Sequence, residues 1–549
     1  MMKLTEIERK YDVDRTLRVP DLSGLPGISG LDFPGSITLT AVYFDTPNLD
    51  LARHHIALRR RDGGADAGWH IKLPAEEGRT ELQWPLDTGS GQVPPPVLDP
   101  VRAIVRDRPV TPLARITTIR TTVLLLNEAG DAVAELADDD VSASDMRGGV
   151  FRKWREWEVE LFSAAPDARA DRTALLNAIE ATLTEAGAAP STSLAKIARA
   201  LGARGLGPVA AAFAGSSAAS PAATVATSGS KRDIPPGSAT AVMASLAHQH
   251  AALIAADPAV RSGQPGAARQ MLPAVRRLRN ILDVYAHVVG ADTAPGMLLD
   301  LTAVSAVLTD VRQAERRQRR LRRALATLPP LTALPPGEQT EAARDRLTEA
   351  AETDRRAAQT RLVDLLTTRQ YYGLLDDLDR LLASPAAPRR TSTTAVRAAL
   401  RAGTARLRDS AALLGTADGP AAVTDAAQRL RHAAEAAIAP TAADGGATKP
   451  YRRLAAAARR AERALDATEP PDLIDWLDDV AARPSSDSDD PDTISVPLAL
   501  LTGVLTGVLT GVLIGLLSGR AECVDAHRRT DPAALADAVH RCRTRVRKI

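Results

Sequence analysis

Glu6-Ile7-Glu8-Arg9-Lys10, close to the start of a 549-residue chain, sets two carboxylates and an ammonium at alternate positions. On a β-strand successive side chains point to opposite faces, so Glu6, Glu8 and Lys10 share one face while Ile7 and Arg9 share the other. Two carboxylates beside an ammonium suit a hard divalent cation held by oxygens, with the lysine reaching a phosphate that shares the metal. Taken alone, the pattern also fits a strand whose charges are merely solvated. Its neighbours in the sequence narrow the choice. In Leu58-Arg59-Arg60-Arg61 the alternation puts Arg59 and Arg61 on one face, where guanidiniums can chelate adjacent phosphoryl oxygens. Lys72, Arg79 and Arg120 add cations on separate predicted strands. Glu156, Glu158 and Glu160 alternate with Trp157, Val159 and Leu161. Like charges at that spacing repel unless a metal or a cationic neighbour relieves them.

A chain of this length exceeds one hydrophobic core and divides into several domains. Its 69 basic residues nearly balance its 67 acidic ones, a net charge of +2, so any anion-binding function depends on local clustering. The two cysteines, Cys523 and Cys542, give neither a disulfide framework nor metal-ligand spacing, which fits a reducing cytoplasm. The N-terminus carries charges where a secretory signal needs an apolar core. From Val496 to Leu517 the chain is uncharged and long enough to span a membrane, but Gly503, Gly507, Gly511 and Gly515 recur every four residues. Such a small-residue stripe favours a core helix against which another helix packs, with a membrane span as the alternative.

Residues 1–205 read as strand-rich, closed by helices at about 171–186 and 194–201. Residues 206–237, dominated by Ala, Ser, Gly and Pro, read as a linker. Residues 238–549 are helical in pattern, with room for about ten helices. Met271, Val275, Leu278, Leu282 and Tyr285 fall at spacings of four and three and form one apolar stripe, with Arg276, Arg277 and Arg279 off it. Arg316, Arg317, Arg319, Arg320, Arg322 and Arg323 crowd a further helix, as a solvated face or a polyanion contact.

The order Glu6 to Lys10, Tyr43-Phe44-Asp45-Thr46, Leu58 to Arg61, Trp69 to Pro74, Arg79-Thr80-Glu81, Glu135 with Asp138, Glu156 to Glu160 and a late Lys196 resembles that of the CYTH family. The resemblance covers about residues 3–202. It implies an eight-stranded antiparallel β barrel, open along its axis as a tunnel, that processes triphosphate-bearing molecules with Mg2+ or Mn2+. Family activities include inorganic triphosphate hydrolysis, thiamine triphosphate hydrolysis and a minor class of adenylate cyclase. On this basis Glu6, Glu8, Glu156, Glu158 and Glu160 are the candidate metal ligands. Lys10, Arg59, Arg61, Lys72, Arg79, Arg120 and Lys196 are the candidate phosphate ligands. Lys10, Glu158 and Glu160 are the candidate catalytic groups, with Glu158 or Glu160 holding a second metal or orienting water.

The helical part resembles a CHAD domain, which implies an all-α bundle that binds inorganic polyphosphate and an α+β multidomain chain overall. Arg269, Arg276, Arg277, Arg279, Arg429, Arg431 and His432 are the corresponding contact candidates. Arg269 stands where that family has a histidine and Leu272 where it has an arginine; Ala and Val precede Arg429 where a histidine and lysines are usual. The expected function is metal-dependent hydrolysis of a triphosphate, inorganic triphosphate foremost, with polyphosphate binding by the helical part. The location expected with it is the cytoplasm, in association with polyphosphate granules. A non-catalytic polyphosphate-binding or scaffold protein is the alternative. Nucleic acid is disfavoured, because the strand-rich part has no aromatic stacking platform.

Overall fold

The computed structural model describes residues 2–86, 92–191, 195–206, 238–289, 294–327, 338–383, 393–414, 416, 418–438, 448–463, 476, 480 and 532–546. The apolar segment 496–517, Cys523, and the 206–237 linker beyond its first residue lie outside them. The chain divides into two compact units, Met1–Ser228 and Gly229–Ile549.

In the first unit the alternating segments become strands β1 (Met2–Glu6), β2 (Glu8–Asp12), β3 (Gly30–Asp45), β4 (Ala57–Asp62), β5 (Gly68–Pro74), β6 (Arg79–Pro85), β7 (Thr111–Leu126), β8 (Ala132–Asp145), β9 (Phe151–Leu161) and β10 (Ala189–Pro190). They form one sheet in the order β1-β6-β5-β4-β3-β7-β8-β9-β2-β10, with every pair antiparallel. β1 pairs with β6 and β2 with β9, yet only Ile7 separates β1 from β2 in the chain, so the backbone closes the sheet into a ring. Leu161 N–H donates to the Ile7 carbonyl at 2.9 Å at this crossing. The count of ten corrects the expected eight, because the first strand is split at Ile7 and the two-residue β10 adds a pair. Taken as one strand, β1 and β2 restore eight strands around the ring.

Short helices α1 (Asp50–Arg53), α2 (Pro95–Leu98) and α3 (Arg102–Val105) connect strands, and α4 (Arg169–Glu185) and α5 (Lys196–Leu206) follow the last long one. Asp45 caps α1, accepting N–H groups of Thr46 at 2.7 Å, Leu51 at 2.9 Å and Ala52 at 3.0 Å. The ring is apolar outside and charged inside. Trp157, Val159 and Leu161 of β9 pack outward with Tyr11 under Leu175, Leu176, Ile179 and Leu183 of α4. The inward faces of Tyr43, Ile116, Val141 and Trp154 pack against Ile197, Ala198 and Leu201 of α5, which stoppers one end. At the other end the inward positions Met2, Leu4 and Ile37 are 53%, 41% and 46% exposed, so the bore opens there.

The second unit holds nine helices among the described residues: α6 (Ser238–Arg261), α7 (Ala267–Val289), α8 (Ala294–Thr327), α9 (Glu338–Leu366), α10 (Arg369–Ala383), α11 (Thr393–Ala411), α12 (Gly419–Ala436), α13 (Lys449–Arg463) and α14 (Pro532–Val546). The stripe Met271, Val275, Leu278, Leu282 and Tyr285 is fully buried, because α7 packs against α6, α8 and α12. The Tyr285 hydroxyl donates to the Ala433 carbonyl at 2.8 Å, so even the polar end of the stripe has a partner. α8 contains an 18-residue window of mean hydropathy 1.3, long and apolar enough for a membrane span, of which 39% is buried inside the unit. It packs on α7, α9 and α10.

One close approach fixes the strand break. Gly78, in the turn between β5 and β6, has φ +64°, and a Cβ there would lie 2.0 Å from the Glu6 carbonyl oxygen and 3.2 Å from Ile7 Cα. Backbone strain and overlap with immovable main chain then add, so Gly78→Ala should destabilise this unit by about 2 kcal/mol or more. Urea unfolding followed by tryptophan fluorescence measures it, since Trp69, Trp84, Trp154 and Trp157 all lie in this unit. An unchanged midpoint would show that the break does not depend on the contact.

Candidate active site

Register places the inward charges on two walls. On the wall made by β2, β9 and β8, Glu8 lies opposite Glu160 and Glu160 opposite Glu135; Lys10 lies opposite Glu158; Glu156 lies opposite both Asp12 and Asp139. Lys10 donates to Glu8 at 3.0 Å and contacts Glu158. Arg120, from β7, grips Asp139 through two bonds of 2.8 Å and reaches Glu158 at 2.7 Å. Lys196, at the start of the stopper helix, lies 2.9 Å from Asp139, 2.7 Å from Glu156 and 2.6 Å from Glu158. Burial favours a neutral Glu158, but Lys10, Lys196 and Arg120 outweigh it and hold the carboxyl well below its usual range.

The facing wall is made by β3 to β6. Arg59 pairs across β4 and β5 with His70, and Lys72 across β5 and β6 with Glu81. Lys72 contacts Glu6, and Arg79 lies opposite Glu6 in the β1–β6 ladder. Arg59 approaches Glu81 at 3.5 Å and the Tyr43 hydroxyl at 3.5 Å. Burial favours a neutral phenol at Tyr43, yet Arg59, with Lys196 and Lys72 behind it, pulls its pKa below the ordinary value. Arg61 contacts Asp66 and is buried. Burial, then the adjacent Arg59, pushes its pKa down to about 9 although Glu81 opposes. The His70 ring is fully buried, Nδ1 at 2.8 Å from Glu81 Oε1 and Nε2 at 2.9 Å from the Asp66 carbonyl. Burial and the two arginines push it down to about 4, against the pull of Glu81.

Two carboxylate groupings invite a divalent cation, and they differ in how well they are already neutralised. Among the described residues, Asp139, Glu156 and Glu158 bring three donor oxygens within 4.8 Å of one another. The Lys196 ammonium lies within 2.9 Å of all three and Trp154 donates to Glu156 Oε2 at 2.6 Å, yet Glu156 Oε1 has no hydrogen-bond partner. In the second grouping, of Glu6, Glu8 and Glu160, Glu6 contacts Lys72 and Glu8 lies 3.0 Å from Lys10. Oε2 of the buried Glu6 has no hydrogen-bond partner. Burial, then Glu6 and Glu8, pushes the Glu160 carboxyl up to about 7, with only Lys72 opposing strongly. Asp139, Glu156 and Glu158 are the grouping close enough to share a metal, which fits the predicted ligands Glu156 and Glu158, while the orphaned Glu6 oxygen and the raised Glu160 carboxyl mark a second place that a cation would stabilise.

Every tunnel residue singled out in the sequence lies on the inner face, with one correction among the quoted motifs. Asp138 faces outward, held by Arg155 at 2.7 and 2.6 Å, and Asp139 is the inward carboxylate. Alternation from Glu135 through Ala137 selects Asp139, so the signal was present. Glu81, Tyr43 and His70 also face inward; His70 follows by the same parity from Lys72 and Glu81 from Arg79, whereas Tyr43 is placed by its register opposite Arg59.

In the helical unit, Arg276, Arg277, Arg279 and Arg431 gather about His432, whose Nδ1 accepts from Asn280 at 2.9 Å. Burial, then these arginines, pushes His432 down to about 3. Arg312 of α8, absent from the sequence reading, belongs with them, since after burial it is the main cause that lowers the pKa of Arg276. Arg429 bonds Asp283 at 3.2 Å and also contacts Asp425; Arg431 bonds Glu462 at 2.8 Å. Arg269 is exposed, two turns earlier on α7.

A CYTH domain model matches residues 4–189 and a CHAD domain model matches residues 244–468. The uncharacterized protein Rv2226 of Mycobacterium tuberculosis strain H37Rv is 36% identical over 392 residues, covering 69% of this chain and 70% of the relative. The CHAD domain structure from Ricinus communis is 18% identical with a TM-score of 0.35, covering 55% of this chain and 92% of that one. HpAC1 from Hippeastrum, to which a dominant triphosphatase activity is ascribed, is 22% identical with a TM-score of 0.23, covering 35% of this chain and 93% of that one.

The raised Glu160 carboxyl sets a pH test. Its folded pKa lies above the ordinary carboxylate value, so the carboxyl is protonated below about 7 and must lose that proton to ligate a cation. The dissociation constant for Mn2+, measured by calorimetry, should rise by up to about tenfold per pH unit below pH 7, and Glu160→Gln should flatten this slope. An equal slope in the variant would assign the proton elsewhere.

Proposed function

The chain belongs to the family in which a CYTH domain is followed by a CHAD domain, and we propose on that footing that its tunnel hydrolyses inorganic triphosphate with Mg2+ or Mn2+. The CYTH family is enzymatic and metal-dependent, and a triphosphate-related function belongs to its tunnel. One observation carries the finer reading. One wall presents Arg59, Arg61, Lys72 and Arg79 around Glu81, while the facing wall presents Glu8, Glu135, Asp139, Glu156, Glu158 and Glu160 around Lys10. A metal–polyphosphate complex neutralises both at once. The inward face is charged over most of its length, which favours the inorganic substrate.

Arg59, Arg61, Lys72, Arg79, Arg120, Lys10 and Lys196 would hold phosphoryl oxygens and neutralise the charge that develops on the bridging oxygen. A cation bound at Glu6, Glu8 and Glu160 would supply Lewis-acid polarisation of the phosphoryl group. Of the two carboxylates first considered for orienting water, Glu158 is a poor base, clamped by three cations, whereas Glu160 keeps a proton affinity near neutrality. The same reading gives the helical unit a role in binding polyphosphate through the arginines around His432, in the cytoplasm.

Phosphate release from tripolyphosphate, ATP, thiamine triphosphate and long-chain polyphosphate, with Mg2+ or Mn2+, tests the tunnel. Tripolyphosphate should be fastest, and Glu6→Gln or Glu8→Gln should lower kcat about a hundredfold or more. No release from any substrate would leave a binding protein instead.

For the helical unit, binding of long-chain polyphosphate by the full chain should weaken steeply with salt and hardly change between about pH 6 and 8. Arginines keep their charge there, and His432, pushed down to about 3, stays neutral. Arg276→Glu combined with Arg277→Glu should remove the salt-sensitive part. Affinity that strengthens as pH falls through about 6.5 would point to a histidine instead.

A further inference from the structure

His70 is a buried ionisable ring in the tunnel that hydrolysis leaves without a task. It sits where two separate holds on the arginine strand meet. The Asp66 carboxylate contacts Arg61, and the Asp66 carbonyl faces His70 Nε2 at 2.9 Å. Glu81 Oε1 lies 3.5 Å from Arg59 and 2.8 Å from His70 Nδ1, while Glu81 Oε2 takes Gln83 Nε2 at 3.2 Å. We propose that His70 is a positioning residue for phosphate binding, which fixes Glu81 and through it Arg59, and joins that hold to the Asp66 hold on Arg61.

Both partners of the ring are acceptors once Glu81 is ionised, so the two contacts together require a donor at each nitrogen or a proton shared with Glu81. Arg59 and Arg61 oppose that extra proton. The contacts decide in its favour, because without it a nitrogen lone pair would face an oxygen at 2.8 or 2.9 Å inside a fully buried site. A triphosphate seated on the two arginines adds negative charge where they oppose the proton, and so tightens the linkage as substrate arrives. Without the ring Glu81 Oε1 would lose its 2.8 Å partner and keep the longer contacts to Arg59 and Gln83, and the guanidinium of Arg59 would face a less firmly fixed carboxylate.

The inference rests on the tunnel being a triphosphate site, so its readout is tripolyphosphate binding to the full chain by calorimetry, which does not depend on turnover. His70→Asn keeps a donor near the Nδ1 position and so the Glu81 link; His70→Gln keeps one near Nε2 and breaks it. Both variants nearly fill the space of the ring, and thermal melting verifies that they fold. His70→Gln should raise Kd roughly tenfold and His70→Asn no more than about threefold. In an Arg59→Ala background, which has already lost the group being positioned, His70→Gln should add almost nothing. The same tenfold loss in that background, or Asn no better than Gln, would overturn the proposal and reduce His70 to a packing residue.

Discussion

Between Glu6 and Glu8 the backbone leaves one edge of the sheet and joins the other, and the rest of the N-terminal unit depends on that single-residue crossing. It removes both free edges, which closure alone can do for a sheet of this size. It also assigns two carboxylates, adjacent on one strand face, to different walls: Glu6 beside Lys72 and Arg79, Glu8 beside Glu160 and Lys10. The glycine turn against the Glu6 carbonyl and the Leu161 hydrogen bond to Ile7 hold the crossing from both sides.

A ring lined with buried carboxylates, guanidiniums and ammoniums is costly to assemble, since each ion leaves water and regains only part of that loss from its partners. The outer apolar layer under α4 and the apolar stopper at α5 supply the compensating burial. The unit thus reverses the usual division of a small barrel, with its core outside and at one end and its polar groups within. Local imbalance then follows from geometry: Lys196 lies against Asp139, Glu156 and Glu158, whereas at Glu160 burial and the neighbouring acids outweigh Lys72.

Much of this was legible in the sequence because a strand has a period of two. From Glu6, Arg59, Lys72 and Glu156 alone, parity gives the inner face, and it also gives Asp139 in place of Asp138, a step missed when a motif was followed instead of the alternation. Two things were not legible. The split at Ile7 leaves no mark in composition, because both halves continue the same alternation. The links Glu81–His70–Asp66 and Lys196–Asp139 join residues far apart in the chain, and nothing local encodes which acid meets which base. In the helical unit the apolar stripe of α7 was plain from its spacing, whereas Arg312 joins the basic cluster only through the packing of α8 on α7.

The α5 stopper makes the bore a corridor with one door. Whatever enters must leave by the way it came, so departing phosphate and the next substrate compete for one passage. A linear chain longer than the bore can present only its terminus to the acids inside, and a cyclic phosphate, having no terminus, cannot thread at all. Under the proposed hydrolysis, such a chamber would trim from chain ends.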